Sequence, residues 1–364
     1  MKLGMLLFLL IPIIGHVYVF WHVWNIVPLN NWYKAALLVL LSMGVVALIF
    51  GFSVGLNIVP FKCATCIYEF GTSSIFVLLY AVMLFLLLDL GRLVRLVPKH
   101  FLYNSWPGTL AVVGVLVAVF VYGNIHYHHK QRQELNLNTS KNVSKALKVV
   151  MVSDLHLGYH NRRAEFARWV DLINAERPDL VLIAGDIIDI SIRPLEEENV
   201  AEEFRRIKAP IYACLGNHEY MSGEEKAERF YREARINLLR DSVVQVMDLN
   251  IVGRDDRTNR RRTSLKALMG KTDPQKYTIL LDHQPYHLEE AQRAGVDFQL
   301  SGHTHYGQVW PISWIEDAMY EKAYGPLTKG NTRYFVTSGM GIWGGKFRIG
   351  TRSEYLVATI TKSF

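Results

Sequence analysis

The sequence predicts an α-helical transmembrane region followed by a layered α/β domain. Long uncharged runs fill the first third of the 364 residues, and short apolar runs alternating with helical patterns fill the rest. Charge divides the chain near the same place: residues 1–150 hold 11 Lys and Arg against 3 Asp and Glu, out of 40 and 33 in all. The positive excess therefore belongs to the front, where it can set orientation in a bilayer. It does not form a basic stripe on the α/β domain of the kind that binds nucleic acid.

Four runs, at residues 3–24, 35–56, 72–88 and 109–125, lack Lys, Arg, Asp and Glu. Each is near the roughly 20 residues that a membrane-crossing helix needs. They define a transmembrane region over 1–126 with about four helices, then a linker or edge strand over 127–146, then a domain over 147–364. A signal peptide explains only the first run, and no small-residue cleavage site follows it. Trp21, Trp24, Trp32, Tyr33 and Trp106 fall where interfacial aromatics gather. Asp89, Arg92 and Arg95 share helical spacing, so Asp89 is expected to pair with Arg92 as an anchor or a tie between helices. Four spans put the N-terminus and the domain on one side with Lys2, Lys62, Lys130, Arg132, Lys141 and Lys145. Lys34, Arg92, Arg95 and Lys99 lie opposite, a balance that leans toward a cytoplasmic domain on a multi-pass protein of the cell membrane. Cys63 and Cys66 form a CxxC in an expected short loop, open to a disulfide where that loop faces an oxidising space, and Cys214 lies in an apolar run.

In the second region, residues 147–154, 179–186, 210–217, 277–283 and 296–303 each read as a buried strand that ends on polar residues. Residues 164–176 and 200–208 are helical in pattern. Strands alternating with helices predict α/β layers, in which ligands gather at the carboxyl ends of strands. Those ends read Asp154-Leu155-His156, Gly185-Asp186-Ile187-Ile188-Asp189, Gly216-Asn217-His218-Glu219, His283 and Gly302-His303-Thr304-His305. One DxH or GNH alone is as often an ordinary turn. Five in order, each after a buried run, predict a metal centre.

The pattern D-x-H, G-D-x-x-D, G-N-H-[D/E], a lone His and G-H-x-H resembles that of the calcineurin-like metallophosphoesterase superfamily, over residues 147–361. Residues 339–360, following GHTHYGQVWP, are similar to its membrane-associated bacterial branch. The resemblance implies a two-sheet β-sandwich flanked by helices, with two metal ions over the strand ends. It implies that Asp154, His156 and His305 hold the first ion, that Asn217, His283 and His303 hold the second, and that Asp186 bridges them. His218 is then the proton donor near the leaving group. Some of that branch hydrolyse lipid-linked pyrophosphates. Many of its members have a single anchor or an export signal where this chain has four runs.

The chemistry asks for the same residue types. Attack of water on phosphorus needs a nucleophile at neutral pH and neutralised phosphoryl oxygens, and two divalent ions about 3.5–4 Å apart supply both. Oxygen and imidazole ligands without thiolate favour Mn, Fe or Zn. Asp189 is expected to orient His218 or another imidazole from behind the ligands. Arg348 follows a Gly-rich turn and either contacts phosphate or packs. His160 and His287 read as structural groups or substrate contacts, and His126, His128 and His129 as interfacial or edge-strand residues. Arg254, Arg257, Arg260, Arg261 and Arg262 read as a solvated loop. Trp310, with Pro311, Ile312, Trp314 and Ile315, follows the GHTH segment directly and either packs or admits an acyl chain. The expected function is a membrane-anchored two-metal phosphohydrolase that cleaves a phosphoester or pyrophosphate on a lipid-linked substrate, with no nucleic-acid partner. The alternatives are a tethered phosphodiesterase acting on soluble nucleotides or nucleic acid, and a non-catalytic metal-binding receptor or scaffold. No ligand position is missing, which speaks against the scaffold, and a transporter would need paired Gly/Pro-broken spans.

Overall fold

The computed structural model describes residues 3–53 and 55–363, with the side chains of the first helix from Pro12 onward. Lys2, counted above for orientation, lies outside them. The chain divides into two compact units, Met1–Ile125 with Gly344–Lys346, and His126–Trp343 with Phe347–Phe364.

The first unit is built from α1 (Leu3–Ile26), α2 (Asn31–Ser53), α3 (Phe61–Leu93) and α4 (Trp106–His128). Among the described residues, α2, α3 and α4, at 23, 33 and 23 residues, are long and apolar enough to cross a membrane. The four expected spans are thus three here, and α1 covers the remaining run. Val39, Val46, Leu87 and Leu90 are exposed on these helices, a surface that suits lipid and not water. Asp89 does not pair with Arg92. It accepts from Tyr18 Oη at 2.7 Å and lies 3.0 Å from His22 Nε2, so it ties α3 to α1. A carboxylate among apolar helices needs donors within reach, and α1 supplies them, whereas Arg92 lies over the Tyr103 ring. Cys63 and Cys66 are free and exposed in the first turns of α3, not paired in a loop.

The second unit runs β1 (Lys130–Thr139), β2 (Leu147–Val152), α5 (Arg163–Ala175), β3 (Leu180–Ala184), α6 (Arg193–Glu197), α7 (Ala201–Arg205), β4 (Ile211–Cys214), α8 (Asn217–Ser222), α9 (Glu224–Glu233) and β5 (Ile236–Leu238). It continues with β6 (Ser242–Val246), β7 (Leu249–Gly253), α10 (Leu265–Met269), β8 (Tyr277–Leu281), α11 (Leu288–Ala294), β9 (Phe298–Ser301), α12 (Ile312–Met319), β10 (Gly325–Lys329), β11 (Thr332–Val336) and β12 (Ser353–Lys362). One sheet has the order β1-β12-β2-β3-β4-β5 and the other β10-β11-β9-β8-β7-β6. Residues 130–139 are an edge strand, paired in parallel with β12 along their whole length. Strands β2 to β5 run parallel, as do β7 to β9 with β11, while β12 against β2, β6 against β7 and β10 against β11 are antiparallel.

Parallel strands are covered on both faces, which is why LVLIA of β3 and YTILL of β8 are buried throughout. Leu182, Ala184, Ile279, Leu281 and Leu300 pack between the sheets. Phe166, Trp169, Phe204 and Phe230 of α5, α7 and α9 cover the first sheet, and Leu265, Leu268, Leu288 and Ala291 of α10 and α11 cover the second. The result is two mixed sheets face to face with helices outside, and the ends of β2, β3, β4, β8 and β9 carry the polar residues picked out in the sequence.

Candidate metal centre

The turns that leave these strands are held in unusual backbone conformations. Asp154, His156, Asp186, His303 and His305 all have positive φ, between 43° and 74°. Residues with a Cβ rarely adopt this region, and such strain persists only where the surroundings enforce it, commonly at functional sites. Glu219 is part of the enforcement. Its Oε2 accepts from Asp186 N at 3.1 Å and Gly216 N at 2.7 Å, and its Oε1 accepts from Ile188 N at 3.0 Å. The turns after β3 and β4 are thereby locked together. Glu219 stands within GNHE, and nothing local in the sequence marks its role, because its donors are backbone N–H groups that every non-proline residue carries. Gly216 is the second constraint: a Cβ there would sit 2.1 Å from Asp186 Oδ1.

Three groups of possible ligand atoms result among the described residues, each within 4.8 Å: Asp154, His156 and His305; Asp186, His283 and His303; and His156, Asp189 and His218. Asp186 Oδ2 lies 3.1 Å from His283 Nε2 and 3.6 Å from His156 Nε2, so it faces both. His283 Nδ1 lies 2.7 Å from the Ala184 carbonyl, which makes it the donor and leaves Nε2 to face Asp186. His156 and His305 point their Nε2 atoms at each other across 3.0 Å. Asn217 Oδ1 is buried with no hydrogen-bond partner among the described residues. Convergent imidazole lone pairs, a buried unsatisfied amide oxygen and facing carboxylates are what a divalent cation satisfies, so these residues fit a metal pair.

The electrostatics agree. Burial lowers His303 to about 4, helped by His283, and it lowers His305 well below its usual value, helped by His156. Both rings are neutral at pH 7 and keep a lone pair for metal. Burial opposes charge on Asp186, but His283, His218 and His156 outweigh it and hold the carboxyl well below its usual range. Burial also opposes charge on His218, but Asp186 and Asp189 outweigh it and raise this ring to about 9. Asp189 Oδ1 stands 3.2 Å from His156 Nδ1 and 3.4 Å from His218 Nδ1, behind both rings.

Other expected positions differ. Arg348 is fully buried, with its guanidinium donating to the carbonyls of His305 at 2.6 Å, Gly341 at 3.1 Å and Ser338. With its donors spent on backbone, it buttresses the His305 turn and leaves no edge for phosphate. Arg254 and Arg262 are not solvated: they turn inward onto Asp282 at 3.2 and 3.0 Å. Asp255 and Asp256 are buried beside them. His160 is buried, 2.6 Å from the Ile342 carbonyl, His287 pairs at the surface with Glu289, and His128 faces Glu165. Trp310, Trp314, Ile315 and Met319 are 40, 64, 57 and 60% exposed, and the two indoles stack edge to face at 5.3 Å.

The family model for calcineurin-like phosphoesterases matches residues 147–307. An uncharacterized metallophosphoesterase of Campylobacter jejuni is 28% identical over 254 residues, which is 68% of each chain. One of Helicobacter pylori is 31% identical over 219 residues, 58% of this chain and 59% of its own. A transmembrane protein with metallophosphoesterase domain of Danio rerio is 28% identical over 307 residues, 76% of this chain and 70% of its own. Where the matched segment runs, the paired Asp and His groups lie at its strand ends. Over residues 147–307 the chain carries a domain of the calcineurin-like phosphoesterases, a family of metal-dependent phosphoesterases, with the Asp and His groups that could hold metal at its strand ends.

Proposed function

We propose that the chain is a multi-pass membrane phosphohydrolase whose two-metal centre cleaves a phosphoester or pyrophosphate bond on a lipid-linked substrate. In this reading Asp154, His156 and His305 hold one ion, Asn217, His283 and His303 the other, and Asp186 both. Bound metals would neutralise phosphoryl oxygens and acidify water. His218 would then deliver a proton to the leaving oxygen, and Asp189 would keep that ring in position.

The observation that carries the lipid reading is the apolar face of α12. It follows the GHTH turn by a few residues, yet Trp314, Ile315 and Met319 do not pack into the domain and stand exposed. Indole rings at the boundary between water and hydrocarbon are favoured, and three apolar helices of the same chain supply such a boundary. The test is the double variant Trp310→Ser/Trp314→Ser. The Michaelis constant for a lipid phosphate should rise severalfold, while hydrolysis of 4-nitrophenyl phosphate stays near normal. Equal losses on both, with a lowered melting temperature, would return these residues to ordinary packing.

A further inference from the structure

We propose that Arg257 binds a second anionic phosphoryl group of the substrate, so that the centre prefers diphosphates to monophosphates. The proposal rests on the phosphoesterase assignment and adds the substrate class. Strands β7, β8 and β9 are adjacent and parallel, so the segments after them emerge at one edge. His283 and His303 follow β8 and β9 there, and Arg257 follows β7.

The loop that carries Arg257 is fixed on both sides of it. Asp256 accepts from Thr258 N at 2.8 Å and from Gln284 Nε2 at 2.9 Å, and Asn259 Nδ2 donates to Asp255 Oδ2 at 2.9 Å. Arg254 and Arg262 are consumed by Asp282. Arg257 differs from both: it is half-buried and makes no ion pair among the described residues. Its guanidinium carbon lies over Tyr286, 3.8 Å from the ring centre. Tyr286 Oη donates to Tyr320 Oη at 3.0 Å, and the Tyr320 ring stands 6.3 Å from that of His303. The guanidinium therefore rests on a shelf of tyrosines that leads to a proposed metal ligand. A guanidinium held over a ring without an ion-pair partner keeps N–H donors that match two phosphoryl oxygens.

Calorimetric titration reads this without turnover. Manganese-loaded full-length protein in detergent, dialysed free of excess metal, is titrated with inorganic phosphate and with pyrophosphate in the form of its non-hydrolysable methylene analogue. Wild type should bind pyrophosphate at least about 10-fold more tightly. Arg257→Ala should lose about 10- to 100-fold on pyrophosphate and far less on phosphate, the worth of charge-assisted hydrogen bonds. Arg257→Lys, which keeps charge but not the fork, should recover only part. Wild-type affinities that are equal for the two anions, or an equal loss of both in Arg257→Ala with an unchanged melting temperature, would overturn the proposal. ADP and farnesyl diphosphate distinguish the source of the diphosphate: both should weaken alike in Arg257→Ala, and a lipid source requires that Trp310→Ser/Trp314→Ser weaken only the latter. Absence of 4-nitrophenyl phosphate hydrolysis by metal-loaded wild type would remove the enzyme assignment, while the ratio of the two anion affinities would still decide Arg257.

Discussion

Asp186 and His218 touch through a single hydrogen bond, His218 N to Asp186 Oδ1 at 2.9 Å, yet opposite outcomes are expected of them. Asp186→Asn removes the charge on which both histidine groups converge, so bound metal, read by mass spectrometry, should fall together with turnover. His218→Ala should retain metal and lose about 10²- to 10⁴-fold in rate, with a smaller loss for 4-nitrophenyl esters, whose leaving group needs no proton. Metal loss in step with activity in His218→Ala would make that ring a ligand. At this scale the ligand types were legible, because each candidate follows an apolar run directly. Arg348 was not, because its acceptors are carbonyls, which every residue has. Arg254 and Arg262 were not, because their partner Asp282 is 28 and 20 residues away and nothing local marks the pairing.

Glu176 shows what an element boundary contributes. It ends α5 and receives Arg132 of β1 at 2.8 Å and Lys148 of β2 at 2.9 Å. Burial pushes its carboxyl up, but the hydrogen bonds from Lys148 and Arg132 outweigh it and hold it below its ordinary 4.5. A depressed acid stabilises the fold above its unfolded value, and the contribution fades as pH falls through the folded one. Glu176→Gln should therefore lower stability by up to about 1 kcal/mol at pH 7, and the difference should shrink as pH falls below the ordinary 4.5, read from denaturation midpoints across that range. A difference that persists in acid would assign the loss to packing. Elements were legible where burial is two-sided: β2, β3 and β8 are rich in Val, Ile and Leu, and β4 and β9 lie in short apolar runs that end on polar residues. Strand β1 was left between linker and strand because KQRQELNLNT is mostly polar, with Leu137 its one buried apolar residue. The turn of α12 from buried Ser313 to exposed Trp314 and Ile315 was also hidden, since packed and exposed indoles look the same in a sequence.

Across the whole chain, the count of spans decides which faces share a compartment. Among the described residues three helices meet the length and hydropathy of a span, and the location of the two termini tests that count. With three spans, tags at the two termini should be digested from opposite sides of sealed vesicles. Tags on the same side would require an even number of spans. Cys63, two spans before the domain on either count, serves as an internal marker for maleimide labelling.

The metal-facing groups also come from both layers of the sandwich. Asp154, Asp186 and Asn217 leave strands of one sheet, while His283 and His303 leave strands of the other, and the bond from His283 to Ala184 already crosses the gap. An ion held by both sets works as a rivet at the rim of two stacked plates: it resists their sliding, and any slip strains it. Metal retention would then be a gauge of sheet alignment, responsive to the core that Leu182 and Ile279 share between the sheets as well as to the ligands themselves.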